Sequence, residues 1–156
     1  MLIISMGWIR RKNIICFDVD DTLVSAFSTF KEGRLCVVDN KGLTWWCDVH
    51  WRNVALIGEA KKAGFSVTVH SKGGMEWAEA VVLALEIPES FIDEVADKPH
   101  AIVDDLDSGH WIEFRVFADK EPRVGSNGLK AIKTIDELIQ ALIDNGDLPE
   151  GWNGKS

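Results

Sequence analysis

Apolar and polar positions along this chain follow two periods. Ile14, Ile15, Cys16 and Phe17 form an unbroken apolar run that meets Asp18, Asp20 and Asp21. Such a run predicts a buried strand of a parallel sheet, here over about 13–19. Two β-prone runs, 34–38 and 43–47, flank a four-residue turn ending in Gly42 and predict a hairpin flap. Asp48 is placed to N-cap a helix that stops at Gly64. Residues 65–71 predict a second core strand. After Gly73 and Gly74, Met75, Ala78, Val82 and Leu85 form one helical stripe and Trp77, Val81 and Ala84 nearly another, so a well-buried helix is expected. A short strand is expected near Val95, a third apolar-then-acidic run over 101–106, and a further strand over 110–117. Thr134 and Glu137 form a capping box. Behind it Ile135, Leu138, Ile139, Leu142 and Ile143 keep helical spacing up to Asn145 and Gly146. The tail, 147–156, is expected to be loose.

Strands alternating with helices predict an α/β fold with a parallel sheet covered on both faces. A chain of 156 residues suits one domain with a substantial core. The formal net charge of -8 disfavours nonspecific binding to nucleic acid or anionic lipid. The one basic run, Arg10 to Lys12, reads as a solvated turn. Cys16, Cys36 and Cys47 have neither metal-ligand nor disulfide spacing, which suits a reduced, cytoplasmic setting. The apolar opening, 1–9, lacks the leading positive charge of a secretory signal. No apolar run approaches membrane-span length.

In open parallel sheets, ligands sit beyond the carboxyl ends of the strands. Two predicted strands end there in acids: Asp18, Asp20 and Asp21 on one, Asp104 and Asp105 on the other. If the strands are neighbours, the carboxylates repel, and a hard divalent cation such as Mg²⁺ relieves that. Ser71, Lys72 and Gly73 lie where a core strand passes into a helix. A hydroxyl and unpaired backbone N–H groups at that point make an anion seat. Lys98 adds positive charge ahead of the second acidic strand. Metal, hydroxyl, helix start and ammonium together describe a phosphate site.

In this order the motifs "IICFDVDDTL", "VTVHS", the lysine of "ADKP" and "AIVDD" resemble the haloacid dehalogenase superfamily over about two thirds of the chain. The resemblance implies a Rossmann-like sheet and aspartyl-phosphate chemistry with Mg²⁺. It implies Asp18 as nucleophile and metal ligand. It implies Asp20 as general acid/base, with its backbone carbonyl on the metal. It implies that Thr22 braces the loop at the substrate side and that Ser71 and Lys98 hold the phosphoryl oxygens. It further implies that Asp104 completes the metal shell, with Asp105 bound directly or through water. An acid at position 20 points to a phosphatase, because members that dehalogenate or store the phosphoenzyme generally lack it. Asp21 and Asp107 read as solvated turn acids.

The alternatives are a receiver-like signalling domain, a phosphate-binding protein without turnover, and a phosphotransferase. The order of motifs disfavours the receiver, because a strand ending in two acids follows Lys98 and Pro99. The spacings leave no room for a cap domain, only for a helical turn, the flap at 34–47 and a helix. Expected substrates are phosphorylated small molecules, nucleotides or phosphoproteins; bare nucleic acid is the poorer fit, and a homo-oligomer is an option. Adjacent strand residues face opposite ways, so one of Trp45 and Trp46 packs on the core and the other faces the cleft as a stacking surface. Alternatively both are packing or oligomer-contact residues.

Overall fold

In the computed structural model of the chain, the described residues are 13–99, 117–118, 131–132, 134–144, 146 and 148–154. The elements run β1 (Ile14–Asp18), β2 (Val24–Phe27), β3 (Leu35–Val38), β4 (Thr44–Val49), α1 (Trp51–Lys62), β5 (Ser66–Ser71), α2 (Met75–Ala84), a 3-10 turn at Glu89–Phe91, β6 (Glu94–Asp97), β7 (Phe117–Ala118), β8 (Ala131–Ile132) and α3 (Ile135–Asp144). The fold is mixed α/β. Strands β1, β5 and β6 form a parallel sheet in the order β1-β5-β6, with Asp18 opposite His70 and Ser71 opposite Asp97. The ladder runs one residue past the strand ends, through Val19 N–H to the His70 carbonyl (3.1 Å) and Lys98 N–H to the Ser71 carbonyl (2.9 Å).

The core lies on one face of this sheet. Phe17 of β1 and Val19 just after it share the core with Val67 and Val69 of β5 and Phe65 just before it, and all five are buried. Asn53, Leu56, Ile57 and Ala60 form the inward stripe of α1 at the spacing of a single helix face. On the other face Ile14 is 54% exposed and Thr68 and His70 are half-buried, so the unbroken apolar run of β1 is not sealed on both sides by the described residues. The inward residues of α2 are Ala78 and Val81, with Leu85 just beyond; Met75 and Leu83 stay exposed, so this helix is less buried than its composition suggests.

The flap is larger than a hairpin. Its turn forms as expected: Gly42 takes φ +79°, its N–H donates to the Asp39 carbonyl, and Asp39 N–H donates to the Leu43 carbonyl. A third strand, β2, pairs antiparallel with β4, giving the order β2-β4-β3. This pairing corrects the expected helix cap. Because Val49 pairs with Val24, the strand continues through Asp48, whose carboxylate meets Arg34 at 3.1 Å. The helix starts two residues later, behind His50, with no side-chain cap. It ends at Gly64, where Phe65 N–H donates to the Ala60 carbonyl and Gly64 N–H to the Lys61 carbonyl, the pairing of a Schellman stop.

Thr134 caps α3, its hydroxyl accepting from Glu137 N–H at 3.1 Å. The tail corrects a second expectation. Leu148 is buried, and Trp152 packs on Phe65 at 4.8 Å between ring centroids. Tryptophan and leucine give this short segment enough apolar surface to dock. The expected strand at 101–106 lies outside the described residues, as does most of that at 110–117. Among the described residues no helix is long and apolar enough to cross a membrane.

Candidate functional site at the carboxyl end of the parallel sheet

Three adjacent parallel strands end in chemistry-bearing residues at one edge. From β1 come Asp18 and Asp20, from β5 comes Ser71, and just past β6 comes Lys98. The chain leaves β1 through a single tight turn in which the Val19 carbonyl accepts from the N–H groups of Thr22, Leu23 and Val24. Asp21 sits at φ +62° inside it. A short polar side chain tolerates that left-handed geometry better than a bulky one would. The turn presents Asp20 toward Ser71 across the sheet edge.

Lys98 Nζ lies 3.4 Å from Asp18 Oδ1, with both side chains about one third exposed. Among the described residues Asp18 Oδ2 has no hydrogen-bond partner. Asp20 is held at both oxygens: Ser71 Oγ donates to Oδ2 at 2.7 Å, and the Trp77 indole Nε1–H donates to Oδ1 at 3.0 Å. Ser71 is fully buried, and its Oγ also accepts from Gly73 N–H at 2.9 Å. Thr22 contributes its carbonyl, which accepts from the Asn53 side chain at 2.8 Å. Lys72 is exposed beside the strand end. His70 pairs with Asp18 across the ladder. Burial and the neighbouring Lys98 ammonium pull its imidazole below the usual range, while Asp18 opposes them.

The expected anion seat is partly taken by the protein itself. Gly73 N–H is used by Ser71 Oγ, and Met75 N–H at the start of α2 donates to the Asp97 carboxylate at 2.6 Å. Asp97 therefore caps this helix from the neighbouring strand, where a negative charge is favoured.

Trp45 and Trp46 do face opposite ways. The Trp45 Nε1–H donates to Asp39 Oδ2 at 2.9 Å, and its ring meets Trp77 edge-on at 6.3 Å. That indole bond is the main reason the Asp39 carboxyl sits below its usual range. Trp46 meets Phe30 at 4.8 Å on the other side of the flap. Cys47, on the Trp45 side, is buried; burial first, then Asp20, pushes its thiol up to about 11.

Asp104 and Asp105, expected as metal ligands, lie outside the described residues. Among the described residues no three His, Cys, Asp or Glu side chains gather into a metal site. The donors that are described, the Asp18 carboxylate and the Asp20 backbone carbonyl, are all oxygen, which fits a hard cation such as Mg²⁺. The Asp20 carboxylate is engaged by Ser71 and Trp77, which leaves its carbonyl as the donor for an ion.

Trp77, Asn53 and Asp97 escape the sequence reading as site residues. A half-buried indole still favours an acceptor for its N–H, so the acid-rich loop after β1 was the available signal for Trp77. Asp97 stands beside Lys98 in "ADKP" without a pattern of its own. Compared with known proteins, the chain matches no family model, and no curated protein or solved structure shows significant similarity to it.

Proposed function

We propose that the protein is a Mg²⁺-dependent phosphomonoester hydrolase acting through an aspartyl-phosphate intermediate, on a Rossmann-like, capless haloacid dehalogenase-type scaffold. The observation that carries this reading is the Lys98 ammonium 3.4 Å from the Asp18 carboxylate, 80 residues away along the chain. An ammonium beside a strand-end carboxylate, with a second carboxylate and a buried hydroxyl at the same edge, is the set that phosphoryl transfer to a carboxylate requires.

Asp18 attacks phosphorus as Asp20, protonated, gives its proton to the departing alkoxide. Asp20 then takes a proton from the water that hydrolyses the acyl phosphate, releasing phosphate and restoring Asp18. Lys98 and the Ser71 hydroxyl hold phosphoryl oxygens, and Lys98 offsets the negative charge around Asp18. Mg²⁺, held by Asp18, the Asp20 carbonyl and the acids Asp104 and Asp105, would supply charge neutralisation at those oxygens. Substrates are phosphorylated small molecules, nucleotides or phosphoproteins, met in the cytoplasm.

Hydrolysis of an aryl phosphate, assayed with Mg²⁺ and again with excess chelator, tests the reading. Activity that the chelator abolishes supports it; equal activity in chelator removes the metal role, and no hydrolysis with Mg²⁺ rejects the hydrolase.

A further inference from the structure

We infer that Trp77 is a positioning residue for Asp20: its indole N–H aims the general acid when the Ser71 hydroxyl turns to the substrate. The inference rests on the hydrolase reading and extends it to a residue outside the four motifs.

In the free protein two neutral donors fix the Asp20 carboxylate, Ser71 Oγ at 2.7 Å and Trp77 Nε1 at 3.0 Å. Ser71 has one hydroxyl proton. Donated to a phosphoryl oxygen, it no longer reaches Asp20, and the indole becomes the remaining described donor on that carboxylate. An indole suits the task. It donates and never accepts, it is stiff, and its bond to Asp20 strengthens as the acid gives up its proton and the carboxylate becomes charged.

The ring is itself wedged. A Cβ at Gly73 would lie 3.1 Å from Trp77 Cδ1, so the glycine leaves room for the indole to lie against the loop. From the flap, the Trp45 ring meets Trp77 edge-on at 6.3 Å, and the Trp45 N–H is anchored on Asp39 at 2.9 Å. A line of contacts thus runs from the hairpin turn to the general acid: Asp39, Trp45, Trp77, Asp20. Flap and acid are set together.

General acid catalysis matters most when the leaving group is a poor one. Trp77→Phe keeps the ring and removes the N–H. It should lower kcat/KM for an alkyl phosphate by about tenfold, the effect of losing one hydrogen bond to a charged group, and leave 4-nitrophenyl phosphate nearly unchanged. A packing defect would lower both alike. The second measurement needs no turnover. In a ¹⁵N spectrum of the folded protein, the Trp77 indole peak should move in Asp20→Ala more than any other indole peak.

An equal loss on both substrates, or no loss, overturns the positioning role. An unmoved indole peak overturns the hydrogen bond itself. If the wild type hydrolyses neither substrate with Mg²⁺, the hydrolase reading fails and its catalytic consequence with it, while the indole peak still decides whether Trp77 holds Asp20. Should Trp77→Phe not fold, the Asp20→Ala spectrum decides.

Discussion

The side-chain amide of Asn53 donates to the Thr22 carbonyl at 2.8 Å, tying the first turn of α1 to the loop that carries Asp20. Asn53 is only 3% exposed. Asn53→Ala would strand that carbonyl and should cost about 1–3 kcal/mol. Asn53→Asp should cost more, since it loses the donor and buries a charge. Urea denaturation of both variants measures this.

Asp18→Asn should leave less than about a tenth of wild-type kcat, a barrier increase of at least about 1.4 kcal/mol, because an amide is a poor nucleophile. Asp20→Asn should be crippled through proton transfer. Lys98→Met should lower kcat by about 10²–10³, the loss typical of one donor to developing negative charge. Trapping of beryllium fluoride, a phosphoryl mimic, should require Asp18. Retained turnover in Asp18→Asn at saturating Mg²⁺ would falsify the nucleophile assignment.

Trp45 faces Trp77 and Trp46 faces Phe30, so the two flap tryptophans should separate in function. Trp46→Leu should keep the wild-type ratio of kcat/KM between a nucleoside monophosphate and a small aliphatic phosphate. Trp45→Leu should lower the nucleotide's share, by up to the roughly 1–3 kcal/mol of base–aromatic stacking. Unchanged ratios in both variants would leave the flap a purely structural element.

The tail should contribute measurably to stability. A Cβ at Gly64 would lie 2.5 Å from the Gly154 carbonyl oxygen, and Gly64 holds φ +98°. Gly64→Ala should therefore cost more than the roughly 1–2 kcal/mol of left-handed strain alone. A double-mutant cycle between Phe65→Leu and Trp152→Leu should return a coupling of about 0.5–1.5 kcal/mol; a coupling near zero would show that the rings do not support each other.

Cys47 should resist alkylation in the native state. Its thiol lies well above the ordinary value, at about 11, because burial and Asp20 disfavour the thiolate. Cys16 and Cys36 are exposed and should react before it. The same shift has a sign for stability. The folded state holds this proton more tightly than the unfolded chain, so its contribution is complete below about pH 9 and is lost as pH rises toward 11. Urea midpoints at pH 7.5 and 10.5 should fall further for the wild type than for Cys47→Ala.

Local signals in the sequence determined the elements of the parallel sheet. Apolar runs marked β1 and β5, the asparagine-lysine-glycine turn marked the hairpin, and Gly64 marked the end of α1, because each depends on a few neighbouring residues. Strand β2 carried no comparable signal, since "VSAF" is short and its two central residues are small. It is a strand because β4 lies beside it, and that pairing also moved the helix start past Asp48.

The site divides along the same line. Asp18, Asp20, Ser71 and Lys98 were readable as candidates because each ends or closely follows a strand of the parallel sheet. Residue order could not say which donor meets which acceptor. The bond from Trp77 to Asp20 spans 57 positions, and that from Asn53 to Thr22 spans 31. Asp97 closes the helix start that had looked open to an anion. Hydrogen bonds of this kind are set by the distance between side chains brought together by packing, and only the tertiary structure supplies that distance.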